Sequence, residues 1–194
     1  MMARSPIGRQ QLLDAAREEL VRGGGVIDLS GLTRRAGLST GALYHHFGSK
    51  AGLLVVIYDD FYDGLVHAIA DTHLDLETEW RVHEFERTRR FVDYHMTDPL
   101  APILLNRSAL DPQLAELEAT YLQRISHNAG KNIRRGQKLG QLPVDIDPDS
   151  AGAFIIGGIR HGGLLSSCGW GPLPDPGIVT ARLWRLISAA LGVA

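Results

Sequence analysis

Apolar residues recur at spacings of three and four along almost the whole chain, and no stretch alternates apolar with polar residues as a strand does. That periodicity restricts the chain to an all-α fold, because a half-buried strand hides every second side chain and a helix every third or fourth. Leu12, Leu13, Ala16 and Leu20 trace the first stripe, and Gly23-Gly24-Gly25 ends it, since consecutive glycines are costly inside a helix. Asp-Pro pairs at 98–99, 111–112 and 147–148 read as helix starts. There Asp accepts from orphan N–H groups, and Pro at the first helical position gives up no hydrogen bond. Leu114, Leu117, Tyr121, Ile125, Asn128 and Ile133 describe one long amphipathic helix ending near Arg135-Gly136. About nine helices are expected, with a Gly- and Pro-rich loop from Gly169 to Gly177 separating the last two.

With 194 residues, 44% hydrophobic and 22% charged, the chain has the composition of a globular protein of one ordinary domain or two small ones. Its longest apolar runs, 53–58 and 151–159, fall far short of the roughly 20 residues that span a bilayer, so no membrane partner is expected. The first residues lack the apolar core of an export signal. Cys168 is the single cysteine, which excludes an internal disulfide or an all-thiolate zinc site and points to a reducing, cytoplasmic setting. No nucleophile stands at readable spacing from a base and no Gly-rich phosphate loop is present, so neither an enzyme nor a cofactor is expected. Asp59, Asp63 and His67 are spaced i, i+4 and i+8 on the polar side of the fourth helix. They drift around its axis and read as a solvated face rather than a metal site.

The net charge of −2 is unevenly distributed. Residues 1–52 hold seven basic against four acidic groups, a balance of +3, which leaves −5 on the remainder. A positive head on a negative body suits a protein that meets phosphates with one end only.

The segment from Asp28 to Lys50 is the most informative. Asp28 caps a short helix whose inward face is Leu29, Leu32 and Ala36. Gly37 falls where a left-handed residue closes that helix, Leu38 fills the angle, and Ser39 caps the next. This is the grammar of a helix-turn-helix. In the second helix, Thr40 to Phe47, Leu43 and Phe47 turn to the core and leave Thr40, Gly41, Tyr44 and His45 on the other side. Small residues there permit close approach to DNA, while hydroxyl, imidazole and free N–H groups donate to phosphates and base edges. Ser49 caps the following helix, which puts Lys50 beside free backbone amides, within reach of one phosphate. On spacing alone, a helical hairpin packing its Tyr and His against a neighbour remains open.

The runs Leu12 to Ala16 and Ala36 to Lys50, the latter ending Tyr-His-His-Phe-Gly-Ser-Lys, closely resemble the N-terminal domain of the TetR family of transcriptional regulators. The likeness covers about the first 55 residues. It implies a homodimer whose second short helix enters the major groove of a pseudo-palindromic operator, with a C-terminal domain that binds a small effector. The domains expected are therefore 1–50, a three-helix DNA-binding head, and 51–194, a helical ligand-binding and dimerisation body. Carried over by position, Tyr44 and Lys50 are expected on phosphates, with Ser39, Thr40, Gly41, Ala42, His45 and His46 at or near the DNA. Two departures stand out. Asp28 replaces the family's usual Thr and would repel a phosphate, and Gly52 replaces a frequent Glu, which removes the reciprocal capping box after Ser49.

Beyond the head, aromatic and apolar stripes with isolated polar groups supply candidate ligand contacts: Phe85, Phe91, Met96, Leu104, Tyr121 and Ile125, with His67, His95, Asn128 and Arg160. Core packing explains such stripes equally well. Their mix suggests a largely apolar ligand. The last two helices carry glycines at 152, 157, 158, 162 and 163, each costing about 1 kcal/mol relative to Ala, so a close helix approach must offset them. A dimer interface is expected there, through Phe154, Ile155, Gly158, Ile159 and Gly162 with Leu183, Leu186 and Ile187. The whole reads as a ligand-responsive repressor. The alternative is a helical small-molecule carrier or enzyme with a vestigial DNA-binding head.

Overall fold

The computed structural model describes residues 6–70, 79–108, 111–167 and 174–193. Among them are nine helices and no strand: α1 (Pro6–Arg22), α2 (Leu29–Ala36), α3 (Thr40–Phe47), α4 (Lys50–Ala70), α5 (Trp80–Thr97), α6 (Ala101–Ser108), α7 (Pro112–Lys138), α8 (Pro148–Ser167) and α9 (Pro176–Ala190). The all-helical class and the helix count are as the periodicity indicates. None of the described helices is long and apolar enough to cross a membrane.

Most helix starts follow the cap chemistry. Asp111 Oδ1 accepts from the backbone N–H of Gln113 and Leu114, and Asp147 Oδ1 from that of Ser150. Asp98 behaves differently: it closes α5 by donating its N–H to the Tyr94 carbonyl, and α6 begins only at Ala101. A fourth Asp-Pro pair, at 175–176, lies inside the expected loop and starts α9, where Asp175 Oδ1 accepts from Gly177 N and Ile178 N.

The helices sort into two compact units, Met1–Tyr62 with Pro99–Glu118 and Asp63–Asp98 with Ala119–Ala194. The first unit is built on α1, α2 and α3, which pack around buried Leu12, Leu13, Leu20, Leu32 and Leu43. At the start of α4, Leu53, Leu54 and Ile57 are buried in the same unit. Two buried tyrosines on α4 fasten it to the returning segment. Tyr58 donates its hydroxyl to the Leu104 carbonyl at 2.7 Å and Tyr62 donates to Glu118 Oε1 at 2.7 Å, so neither phenol is buried unsatisfied.

In the second unit α5 packs on α8 and α9. Trp80 joins the start of α5 to the end of α7: its indole N–H donates to the Asn132 carbonyl at 2.8 Å and its backbone N–H to Gln141 Oε1 at 2.7 Å. Helix α8 is continuous through its glycines. Two of them serve packing within the chain. A Cβ on Gly152 would stand 2.7 Å from the backbone of Gly130 and Ser126 on α7, and one on Gly162 would stand 2.8 Å from Leu183 on α9. Gly157 and Gly158 face open space, and the surroundings of Gly163 lie outside the described residues.

Candidate functional site

The helix-turn-helix forms as its local signals dictate. Asp28 adopts an extended conformation and accepts from Ser30 N and Gly31 N, Gly37 closes α2 at φ +65°, and Ser39 Oγ accepts from Ala42 N at 3.2 Å to open α3. The Gly37 conformation is one that a Cβ opposes, and its N–H together with that of Leu38 satisfies the last carbonyls of α2. On α3 only Leu43 is fully buried. Ser39, Thr40, Gly41, Tyr44 and His45 are exposed, Ala42 and His46 half-buried. The outward set falls at 40, 41, 44 and 45, one face of the helix opposite Leu43 and Phe47.

The basic groups of α2 and of the start of α4 are engaged unequally. Arg35 is held by Glu18 at 3.4 Å and Glu19 at 3.1 Å, whereas Arg34 is exposed and has no ion-pair partner among the described residues. Lys50 Nζ donates to the Ile27 carbonyl at 2.8 Å, which ties the start of α4 to the turn before α2. Ser49 Oγ accepts from Gly52 N at 2.9 Å, so the cap stands even without a Glu to complete the box. Asp28 is exposed with both carboxylate oxygens turned to the α2 amides, which spreads its charge into the helix N-terminus.

The second unit contains a cavity of about 290 Å³. Its walls are mostly apolar: Ile125 and Ile133 from α7, Ile155 and Ile159 from α8, Trp184 and Ile187 from α9. Val66 and Ile69 of α4 and Phe91 of α5 add to them. Among the described residues, the polar liners are Glu84, Arg87 and Thr88 on α5 and Asn128, Lys131 and Asn132 on α7. Glu84 forms an ion pair with Arg87 one turn on. Burial pushes the Glu84 carboxyl above its ordinary range, against the pull of Arg87 and Arg135.

Of the ligand candidates, Phe91, Ile125 and Asn128 line this cavity. The others lie elsewhere. Leu104 belongs to the first unit, under Tyr58. His95 is buried, stacks on Phe91 with ring centroids 4.4 Å apart and donates Nδ1–H to the Phe91 carbonyl. Tyr121 donates to Asp63 Oδ1 at 3.0 Å, Arg124 reaches the same oxygen, and exposed His67 donates back to the Asp63 carbonyl. Phe85 sits edge-on against Trp184, while Met96 and Arg160 are half-buried away from the cavity. Of the dimer candidates, Ile155, Ile159 and Ile187 line the cavity and Leu183 is buried against Gly162. Phe154 and Leu186 are 70% and 68% exposed, Ile178 is exposed as well, and Gly157 and Gly158 have nothing within 4 Å of where a Cβ would stand.

The polar liners Glu84, Arg87, Thr88 and Asn132 escape a reading of the sequence because charged and amide residues default to a solvated face. Their signal was present: Trp80, Glu84, Arg87, Thr88 and Phe91 follow one another at helical spacing along a single stripe.

Residues 12–57 match the family model described as bacterial regulatory proteins, tetR family. No curated protein matches the chain. Among solved structures, a bacterial regulatory protein in the tetR family from Rhodococcus RHA1 is similar at TM-score 0.75 and 20% identity, over 96% of this chain and 98% of that one. The fatty acid degradation regulator FadR from Bacillus halodurans is similar at TM-score 0.73 and 18% identity, over 96% of each chain. A TetR-family transcriptional regulator from Pectobacterium atrosepticum is similar at TM-score 0.65 and 21% identity, over 94% of this chain and 91% of that one.

Proposed function

We propose that this chain, which has the DNA-binding domain and the fold of TetR-family transcriptional regulators, represses transcription as a homodimer on a pseudo-palindromic operator and leaves it on binding a small, largely apolar effector. One observation carries the reading: a helix-turn-helix with its second helix clear on the Thr40, Gly41, Tyr44 and His45 face occurs in a chain that also encloses an apolar cavity. Helix α3 enters the major groove by that face, and the exposed N–H groups behind Ser39 together with Tyr44 and Lys50 meet the phosphates. Phe154, Leu186 and the open glycines of α8 pair with their copies, an isologous contact that places two α3 helices about one DNA turn, 34–36 Å, apart. An effector acts only through its different affinity for the DNA-bound and free states, so by linkage DNA weakens effector binding by the same factor. A cytoplasmic regulator without enzymatic activity follows from this reading. The fatty acid degradation regulator among the similar structures is consistent with an apolar effector.

Selection of bound fragments from a random duplex pool tests it. A regulator enriches one palindromic sequence and binds it as a dimer with steep salt dependence. A carrier or enzyme with a vestigial head enriches none.

A further inference from the structure

The cavity is polar at one level and apolar elsewhere. The start of α5 lies beside the end of α7, as the Trp80 bonds to Asn132 and Gln141 establish. Going away from Trp80, α5 presents Glu84, Arg87 and Thr88 and then Phe91, while α7 presents Asn132, Lys131 and Asn128 and then Ile125. The polar liners of both helices thus lie near the Trp80 end, beside Trp80 and Ile133 themselves, while Phe91 and Ile125 follow farther along each helix. Such a division fits an amphiphile rather than a wholly apolar guest.

The charges at the polar end are unbalanced. Among the described residues, Arg87 and Lys131 line it and Arg135 acts on the same carboxylate, against Glu84 as the one acidic liner, and α4, α8 and α9 contribute no charged liner. Glu84 occupies part of the Arg87 fork, and the remaining guanidinium N–H groups have no acceptor among the described residues. A guest that fills the cavity removes water from those donors, which then require an acceptor. A carboxylate meets that need with charge-assisted bonds, about twice as strong as those to a neutral oxygen. Burial raises the Glu84 carboxyl against the pull of Arg87 and Arg135, and an anion arriving beside it raises it further. Size sets the second limit, since a volume of about 290 Å³ holds about ten groups of the roughly 30 Å³ that a water occupies.

We propose that the effector is a monocarboxylate amphiphile of about ten non-hydrogen atoms, its head on Arg87 and its tail among Phe91, Ile125 and Ile159. This rests on reading the cavity as the effector site.

Octanoate, octanol, octylamine and methyl octanoate make the test, titrated into the purified protein without DNA and followed by tryptophan emission, because Trp80 and Trp184 line the cavity. Octanoate is expected to bind at least tenfold more tightly than the other three. Arg87→Gln should weaken octanoate at least tenfold and leave octanol unchanged. Glu84→Gln should tighten octanoate several-fold and weaken octylamine, a sign that damage to folding cannot mimic. Equal affinity for octanol or octylamine, no binding by any of the four, or an octanoate affinity indifferent to both substitutions overturns the proposal. Release of the selected duplex is measured separately. Octanoate that binds with the expected selectivity and does not release DNA contradicts the regulatory reading while leaving the ligand class standing.

Discussion

Lys50 holds the Ile27 carbonyl with its ammonium at 2.8 Å, joining the first turn of α4 to the residue just ahead of the Asp28 cap. The position expected to meet a phosphate thus also fixes the frame in which α2 and α3 are presented. Lys50→Ala is predicted to lower stability by about 1 kcal/mol, the ordinary worth of one such hydrogen bond. It should weaken binding to all duplexes alike and reduce the slope of log K against log salt by about one. Chemical denaturation and salt titrations of the selected operator check the two effects; an unchanged slope removes Lys50 from the phosphate contacts.

Asp28 combines a favourable cap with an unfavourable charge. Asp28→Ala should cost about 1 kcal/mol of stability, because Ser30 N and Gly31 N lose their acceptor. Asp28→Ser keeps an acceptor and removes the carboxylate. It is predicted to keep stability within about 0.5 kcal/mol of wild type and to tighten DNA binding several-fold at low salt. Melting curves and gel shifts at two salt concentrations separate these outcomes.

Gly152 admits no side chain against Gly130 and Ser126. Gly152→Ala must push α8 from α7, and the expected loss is about 1–3 kcal/mol despite the better helix propensity of Ala. Gly158→Ala, in open space, should instead stabilise an isolated subunit by up to about 1 kcal/mol. A Gly158→Ala protein that weakens dimerisation at the same time would place that residue in the subunit contact.

Glu86 bonds to both Arg89 and Arg90, and the Arg89 guanidinium above all brings its carboxyl down to about 2. The folded carboxyl binds its proton less tightly than the unfolded one. Its contribution is therefore complete above about pH 5 and fades as the pH falls toward 2. Glu86→Gln should be less stable than wild type at pH 7 and approach it near pH 3, as denaturant midpoints at the two pH values will report.

Local chemistry was legible in the sequence where a side chain acts on its own next turn. Asp28, Gly37, Ser39 and Ser49 all stand where they were expected, because caps and left-handed closures depend on neighbours two to four residues away. Asp175 obeys the same rule and was hidden only by the glycines and prolines around it. The cavity was not legible in this way. Whether Ile155 or Phe91 faces a packed neighbour or an empty space depends on how far apart the helices are held, and that spacing is set by bonds such as Trp80 to Asn132, 52 residues apart. The glycines of α8 show the same limit. Their number announces close packing, but only the three-dimensional arrangement assigns Gly152 and Gly162 to their own chain and leaves Gly157 and Gly158 open.

The tyrosine hydroxyls of α4 bear on what counts as a module. The segment that carries the family likeness stops at residue 57, yet Tyr58 and Tyr62 anchor the same structural unit to Leu104 and Glu118. An excised fragment ending near residue 57 would lack both of those anchors. Helices α2 and α3 are contiguous in sequence, but the unit that holds them is completed by residues 99–118, so a graft of the head is expected to need that segment as well.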